Sequence, residues 1–511
     1  MFETSRVFHI GQMFQDAAVR YGHVTVTLDQ PLELAPELGV DLTVGQLAEL
    51  VDELAARLAA AGVRAGDKIA IYKTDNFDIA VLACAAARIG AVPAMLSPAL
   101  DPQVVAALLA RLDRPWLLTD PAKLDTTALD TDTVRGVLFS TGAQDGSLDR
   151  FAGAPRQRPV RTGPLEPALI THSSGTTGLP KLAVHCARAM WFRLLPQKLV
   201  ALPIRRVETV AFCMTFVHSR FYHALGVFLA YGNPLVVAVS PDPATIGPLF
   251  TRTRPGLLET QPNTFIEWEY MDTAPGRPLS SVRYYSATFD AMHPRTIRRL
   301  LDASDRRDPM FFQFYGQSET GPVSCQWYTR ASAENADGRC VGLPLPGFVR
   351  VRITDTDGRP VPRGRIGYIE VRNRSRALTY HGEDDRWLAQ FNDGWWRMGD
   401  MGKLDGRGRL HLMDREVDQI DDVDSNLEIE DILMSRLADL REVVIIPGTD
   451  NRPTPVICTR DEAPLDTAAW DAAVRDLGNL ADPIHLPFHE VPRTSTWKVR
   501  RPELIRKLRG A

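Results

Sequence analysis

The sequence predicts an α/β fold: a large N-terminal α/β domain with an appended small antiparallel β subdomain, followed by a small C-terminal α+β domain. Three features of the 511-residue chain predict it. Helices alternate with strands in the first half, short strands separated by turns follow position 342, and a charged run near position 414 precedes a capped helix. Such alternation is typical of a largely parallel sheet covered by helices.

The N-terminal half supplies the alternating elements. Apolar residues recur at helical spacing from Thr43 to Ala61, and Gly62 stands where this helix should end. The elements expected after it are a strand at 68–72, a helix at 77–89, a strand at 92–96, and similar alternation at 207–212, 225–231 and 235–239.

Two changes of pattern divide the rest of the chain. Short segments at 349–353, 367–371 and 410–413, separated by Asp-Gly turns, predict an antiparallel sheet or small barrel. Five aspartates then lie between 414 and 424, and Ser425 to Glu428 matches a capping box. The helix that it opens has apolar positions as far as Leu440, and a strand is expected at 443–446.

Composition excludes several classes of protein. Lys and Arg number 59 against 63 Asp and Glu, a net charge of −4, so electrostatics give no reason to expect a nucleic acid or an anionic membrane as partner. The six cysteines form no CxxC pair, which favours free thiols over a zinc site. The N-terminus lacks signal-peptide features, and the apolar stretch 79–100 is interrupted by Arg88, Gly90 and two prolines. We therefore expect a cytoplasmic protein without a membrane span.

The segment Thr171 to Lys181 carries the clearest chemical signal. It follows the apolar run 168–170, so it is a loop that leaves a buried strand. Four hydroxyls, two glycines and Lys181 suit a polyphosphate. The spacing is not that of a Walker P-loop, and GxGxxG is absent. We predict a phosphate-binding loop, the alternative being a flexible surface linker.

A second segment, 314–321, brings an aromatic ring, a glycine, a hydroxyl and a carboxylate together on one turn. Tyr315 could stack on a base, Ser318 could bond a phosphate and Glu319 could hold Mg²⁺. Tyr-Gly turns with a solvated glutamate are common, so this signal alone is modest.

Two more segments are weak signals alone and become informative together with the first two. Asp400, at the end of the run 396–400, could accept both hydroxyls of a ribose, but a salt bridge that closes a hairpin is the alternative. Lys498 lies in a basic stretch near the end of the chain, and its alternative is a solvated tail.

In this order, the four segments resemble the adenylate-forming superfamily of acyl-CoA synthetases, nonribosomal peptide synthetase adenylation domains and beetle luciferases. Residues 173–181 match the phosphate loop of the family, and residues 315–319 match its Tyr-Gly-x-Thr-Glu turn, with Ser in place of Thr. Residues 398–400 match its Thr-Gly-Asp motif, with Met in place of Thr, and Arg415 matches the arginine that follows. Residues 492–498 match its Pro-Arg-Thr-x-x-Gly-Lys motif, with Trp497 in place of Gly.

The resemblance implies two half-reactions. A carboxylate attacks the α-phosphate of ATP and gives an acyl-adenylate and pyrophosphate; a mobile C-terminal domain then rotates, and a thiol displaces AMP. It also implies an N-terminal domain over 1–413 with the β subdomain at about 343–413, a hinge at 414–418, and a C-terminal domain over 419–511.

Roles follow from the same resemblance. The expected catalytic residues are Lys498, Ser318 and Glu319, the last also as the Mg²⁺ ligand. The expected ATP-binding residues are Ser173, Ser174, Gly175, Thr176, Thr177, Gly178, Lys181, Ala287, Thr288, Tyr315, Gly316, Asp400 and Arg415. The expected substrate-pocket residues are His218, Arg220, Phe221, His223 and Ser286.

The pocket sequence favours an aryl acid, or an acid with a second polar group, over a plain long-chain fatty acid. The alternative is that Arg220 and His223 face structural partners inside the protein.

The chain departs from the family pattern around the hinge. Val417 stands where the hinge residue is usually Asp or Lys. The loop 421–426 has lost the glycines common in coenzyme A ligases and is acidic, so it would repel coenzyme A phosphates.

We therefore expect an AMP-forming ligase that activates a small carboxylic acid with ATP and Mg²⁺. Coenzyme A or a carrier-protein thiol is the default acceptor. One alternative is transfer to an amine, a hydroxyl or a small inorganic anion; another is a catalytically idle ligand-binding relative.

Overall fold

The structure is a computed structural model that describes residues 6–127, 131–173, 179–204, 208–288, 292–334, 336–420, 425–448, 452–494 and 498–509. Its strands are β1 Thr25–Leu28, β2 Asp41–Thr43, β3 Lys68–Ile71, β4 Val92–Met95, β5 Trp116–Thr119, β6 Gly136–Phe139, β7 Pro167–His172, β8 Leu182–Cys186, β9 Val210–Cys213, β10 Leu235–Val237, β11 Leu257–Thr260, β12 Tyr284–Ala287, β13 Met310–Gln317, β14 Gly321–Tyr328, β15 Cys340–Pro344, β16 Val349–Thr354, β17 Gly367–Asn373, β18 Thr379–Tyr380, β19 Phe391–Asn392, β20 Trp395–Leu404, β21 Leu410–Arg415, β22 Leu440–Pro447, β23 Pro453–Thr459 and β24 Ile484–His485.

The α-helices alternate with these strands through the N-terminal body and return in the C-terminal part. They are α1 Met13–Tyr21, α2 Val44–Ala60, α3 Asp78–Arg88, α4 Pro102–Arg111, α5 Pro121–Thr127, α6 Ala187–Val200, α7 Ser219–Tyr231, α8 Pro243–Thr253, α9 Pro262–Trp268, α10 Pro294–Ala303, α11 Arg330–Ala333, α12 Asp384–Leu388, α13 Asn426–Arg436, α14 Thr467–Val474 and α15 Arg501–Arg509.

Helix α2 shows how local sequence sets an element. Thr43 Oγ1 accepts the N–H of Gln46 at 3.2 Å, and the Gln46 side chain accepts the N–H of Thr43 at 2.8 Å, which completes a capping box. The capped N-terminus and a buried stripe at helical spacing both favour the helix.

Two sheets form the N-terminal body. The smaller has the strand order β18-β8-β7-β4-β3-β5-β6, and the larger has the order β16-β17-β20-β21-β15-β14-β13-β12-β11-β9-β10-β1-β2. Strands β1 and β9 to β13 pair in parallel, and a buried cluster that includes α3 and α7 packs against both sheets. The predicted α/β class is confirmed.

The antiparallel subdomain is an extension of the larger sheet. Strand β14 pairs antiparallel with β13 on one side and with β15 on the other, and β21, β20, β17 and β16 continue from β15. The short strands after position 342 were expected to form an appended sheet or barrel, and long-range pairing joins them edge to edge to the α/β body.

A third sheet, β22-β23-β24, with α13 to α15 forms the C-terminal part, which has hydrophobic clusters of its own. Ser425 Oγ accepts the N–H of Glu428 at 3.2 Å and so caps α13. The helix ends at Arg436, so Leu440 begins β22 and does not extend the apolar face of the helix.

Hydrogen bonds connect the two ends of the segment that joins the N-terminal body to the C-terminal part. Asp414 accepts the N–H of Asn426 at 2.9 Å, and the Asn426 side chain donates to the carbonyl of Asp418 at 2.7 Å. Burial raises the pKa of Asp414 to about 7. The side chain of Val417 is exposed, and the domain limits and hinge at 414–418 stay predictions.

Across the parts of the chain that the structure covers, no helix combines the length and apolarity needed to cross a membrane.

Candidate active site

The four motif segments meet at one cavity of about 530 Å³. It lies where the carboxyl ends of β11, β12 and β13 face α6, α7 and the C-terminal part of the chain. The residues from the motifs that line it are Ser173, Lys181, Tyr315, Gly316, Ser318, Glu319, Asp400, Arg415 and Lys498. Open parallel sheets commonly bind ligands at this edge.

The two ends of the phosphate loop that the structure describes are hydrogen-bonded to each other. Ser173 donates its N–H to the carbonyl of Lys181 at 2.8 Å, and Lys181 donates its N–H to Ser173 Oγ at 3.0 Å. His172 Nε2 accepts the N–H of Ser97 at 3.1 Å, so its Nδ1–H donates to the carbonyl of Ser173 at 2.8 Å. The predicted ligands Ser174, Gly175, Thr176, Thr177 and Gly178 lie outside the described residues.

Tyr380 connects the loop lysine to the predicted magnesium ligand. Lys181 Nζ donates to Tyr380 Oη at 3.2 Å, and Tyr380 Oη donates to Glu319 Oε1 at 2.6 Å. Lys181 Nζ also lies 3.7 Å from Glu319 Oε1. Burial and the neighbouring Glu319 carboxylate raise the pKa of Tyr380, so the phenol keeps its proton and holds this carboxylate in place.

The predicted nucleotide residues Tyr315 and Asp400 are also in contact. Tyr315 Oη donates to Asp400 Oδ2 at 2.5 Å. Strands β20 and β21 place Asp400 opposite Arg415 in register. This tyrosine, aspartate and arginine therefore stand on one wall of the cavity.

His218 is a neutral donor in this site. Its Nδ1 accepts the N–H of Arg220 at 3.2 Å, which leaves the proton on Nε2, and Nε2 donates to Ser318 Oγ at 3.0 Å. Burial, the Arg193 and Lys498 charges and other neighbours lower the pKa of His218 to about 3. His218 therefore orients Ser318 and does not add charge to the cavity at neutral pH.

Arg193, which no motif indicated, supports the turn that carries Ser318 and Glu319. Its guanidinium donates to the carbonyls of Ser318 at 2.8 Å, Glu319 at 3.0 Å and Ser375 at 2.8 Å, and to Ser219 Oγ at 3.0 Å. Its side chain is buried on the cavity wall, and burial lowers its pKa to about 10.

Gly321 permits this contact. Its φ is +71°, and a Cβ at this position would stand 2.7 Å from Arg193 Cγ. Only glycine tolerates both the conformation and the close approach. An arginine in the middle of a helix gives no local signal for such a role, because its partners lie on distant segments.

Three predicted site residues lie off the cavity lining. Phe221 packs in the aromatic core against Phe216 with ring centroids 5.0 Å apart. Ser286 and Ala287 are buried within β12. Phe221 lies on the face of α7 that points into the core. Ser286 and Ala287 are consecutive, so their side chains point to opposite faces of β12, and both faces of this strand are buried.

Thr288 and Gln313 do line the cavity. Within the described chain, the Thr288 hydroxyl and both polar atoms of the Gln313 amide are buried without a hydrogen-bond partner. Buried polar groups are normally bonded, so these two residues are candidates to meet a polar ligand.

A family model named "AMP-binding enzyme" matches residues 14–381. The chain belongs to this AMP-binding family. The predicted membership of the adenylate-forming superfamily, with its large N-terminal and small C-terminal domains, is therefore confirmed. So is the prediction of an ATP-using, AMP-forming ligase.

Three proteins that this chain is similar to are named for different activities. A curated relative, 3-amino-2-hydroxy-4-methoxybenzoate diazotase from Streptomyces cremeus, is 56% identical and covers 98% of this chain and 96% of its own. Indoleacetate–CoA ligase from Aromatoleum aromaticum is 28% identical over 91% of this chain and 92% of its own. The solved structure of the amide bond synthetase McbA from Marinactinospora thermotolerans has a TM-score of 0.79 at 23% identity, covering 97% of this chain and 99% of its own.

Replacement of Arg193 should impair ATP activation more than folding. Arg193→Lys keeps the charge but cannot reach several carbonyls at once, so Glu319, the predicted Mg²⁺ ligand, should shift. Loss of one or two charged hydrogen bonds predicts a fall in ATP–pyrophosphate exchange of about tenfold to a hundredfold, with a higher Mg²⁺ requirement.

The matched control is Ser219→Ala, which removes a side-chain partner of Arg193 that does not belong to the turn. It should keep most of the exchange rate at an unchanged Mg²⁺ requirement. An Arg193→Lys enzyme with normal exchange and normal Mg²⁺ dependence would show that the turn does not depend on this guanidinium.

Proposed function

We propose that this enzyme is an ATP-dependent diazotase, which converts the amino group of an aromatic amino acid into a diazonium group. The observation that carries the proposal is the 56% identity, over 98% of the chain, to the Streptomyces cremeus enzyme named for diazotising 3-amino-2-hydroxy-4-methoxybenzoate. At this identity and coverage, both domains and all of the motif segments are compared.

The chemistry defines the second substrate. A diazonium group joins the amine nitrogen to a second nitrogen at the oxidation level of nitrite, so nitrite supplies it and no further oxidant is needed. Nitrite carries one negative charge on two equivalent oxygens, as a carboxylate does. An adenylate-forming site can therefore use nitrite in the place of the carboxylate.

In the first half-reaction, a nitrite oxygen attacks the α-phosphate of ATP, the bond to the β-phosphate breaks, and pyrophosphate leaves. Nitrite and the phosphates of ATP are both negatively charged, so cations in the site stabilise the transition state in which they meet. We assign Lys181 and the loop from Ser173 to the phosphates, and Lys498 to the charge that builds up between nitrite and the α-phosphate. Asp400 and Arg415 are assigned to the ribose.

Glu319 would hold Mg²⁺, which would neutralise phosphate charge when bound. A single buried carboxylate beside a phosphate loop fits this ion, because Mg²⁺ in nucleotide sites is bound by one or two carboxylates together with phosphate oxygens. Tyr380 and Lys181 would keep the Glu319 carboxylate oriented.

In the second half-reaction, the arylamine attacks the nitrogen of the nitrosyl adenylate. The N–O bond breaks, AMP leaves with the oxygen, and the amine loses a proton. The N-nitroso amine then tautomerises to the diazohydroxide, which takes up one proton on its hydroxyl group and loses water to give the diazonium group. The acceptor is an amine, the non-thiol alternative that the sequence left open, and coenzyme A is not required.

The test combines purified enzyme, ATP, Mg²⁺, nitrite and 3-amino-2-hydroxybenzoate at mildly alkaline pH, where nitrite does not diazotise amines unaided. We expect an azo-coupling diazo product that requires ATP and nitrite, with equal amounts of AMP and product. A parallel reaction replaces nitrite with coenzyme A. Acyl-CoA formation in that reaction, with no diazo product in the first, would contradict the proposal.

Lys498→Ala should abolish most of the adenylation. The lysine lines the cavity together with Ser318 and Asp400, and a transition-state charge contact is worth about a hundredfold to a thousandfold in rate. The control is Lys507→Ala, since Lys507 pairs with Glu490 at the protein surface and should change the rate by no more than about twofold. Nitrite-dependent ATP–pyrophosphate exchange measures both, and normal exchange in Lys498→Ala would remove this lysine from the site.

A further inference from the structure

A buried ion pair stands on the cavity wall formed by α6 and α7. Arg220 Nε donates to Glu259 Oε1 at 2.5 Å, and Arg220 Nη1 donates to the Gln197 side chain. The side chain of Glu259 is 3% exposed and that of Arg220 12% exposed. The alternative expected from sequence, a structural partner for Arg220, is thus present, but Arg220 also lines the cavity.

The guanidinium is held so that one edge stays available. Glu259 occupies the Nε edge from β11, and Gln197 is itself fixed by donating to the carbonyl of Arg193 at 2.8 Å. Within the described chain, no acceptor bonds to Nη2 of Arg220. The Phe314 ring lies 5.4 Å from the centre of the guanidinium and fixes its plane. An arginine fork prepared in this way suits a planar carboxylate.

The charges on this wall match one anion. Arg193 and Arg220 bring two positive charges against the one carboxylate of Glu259, while Lys181 and Glu319 compensate each other on the adjoining wall. Burial lowers the pKa of His218 and of His223, so both imidazoles are neutral. One positive charge is left over on this wall, which favours an anionic group in the cavity.

We propose that Arg220, held by Glu259 and Gln197, binds the ring carboxylate of the arylamine substrate and so turns its amino group toward the adenylate. This inference rests on the proposed diazotase function. An ordinary carboxylate ligase must aim the carboxylate at the α-phosphate, near Lys498. A diazotase must aim the amine there, so the carboxylate needs a separate site, and Arg220 provides it on the cavity lining, beside the Phe314 ring. Glu259 is a positioning residue.

The experiment compares 3-amino-2-hydroxybenzoate with its carboxamide, which differs only in the anion. Calorimetry measures the dissociation constant of each in the presence of ATP and Mg²⁺ but without nitrite. A charge-assisted bidentate contact predicts that wild-type enzyme binds the acid about tenfold to a hundredfold more tightly than the amide.

The decisive variant removes the ion pair without leaving a buried charge: Arg220→Met with Glu259→Gln. The acid and the amide should bind to this variant with equal affinity. Arg220→Lys, which keeps the charge but not the fork, should bind the acid with intermediate affinity. The matched control is Arg150→Met with Asp145→Asn, which removes an exposed ion pair and should keep the wild-type preference.

A folded double variant that still prefers the acid as wild type does would overturn the proposal. Folding is checked by thermal melting and by retained ATP binding. Because the binding arm omits nitrite, the two claims separate. Acid preference that depends on Arg220, with no diazo product, would contradict the diazotase alone; diazo product with no acid preference in wild type would contradict only the Arg220 site.

Discussion

The site depends on one buried guanidinium that collects backbone carbonyls from distant segments. Arg193, on α6, bonds the carbonyls of Ser318 and Glu319 on one side and of Ser375 on the other. The segment around Ser375 bonds the same turn directly, since Ala377 donates its N–H to the Glu319 carbonyl at 2.7 Å. A carbonyl left without a donor in this buried place would cost about 1–3 kcal/mol. The position of the Glu319 carboxylate therefore follows from the packing of Arg193.

The charged side chains around Arg193 are arranged to bind anions. The proposed reaction joins two anions, and the cations that line the cavity near the motif segments are Lys181, Lys498, Arg193 and Arg415. Carboxylates compensate part of the positive charge in and around the cavity. Glu319 lies beside Lys181, Glu259 pairs with Arg220, and Asp400 lies opposite Arg415. The histidines between them stay neutral through burial. Fixed, compensated charges of this kind stabilise a transition state without reorganising during the reaction.

The sequence was informative where function depends on local geometry. Lys181 and Glu319 could be predicted because each lies on a short loop whose glycines and hydroxyls mark it, and the same holds for the capped helices α2 and α13. Tyr380 and Arg193 could not be predicted, since they meet Glu319 only through pairings between segments far apart in the chain. For the same reason the antiparallel strands gave no sign that they continue the larger sheet, and Phe221, which was predicted in the substrate pocket, packs in the aromatic core.

In the reaction that we propose, nitrite, and not the ring carboxylate, is the group that attacks ATP. Reaction with oxygen-18-labelled nitrite tests this directly, because the attacking oxygen stays on phosphorus when the N–O bond breaks. Mass spectrometry of the AMP formed should show one labelled oxygen on its phosphate when nitrite carries the label, and none when the label is in the carboxylate of the arylamine. Label that reaches AMP from the carboxylate, and not from nitrite, would contradict the account.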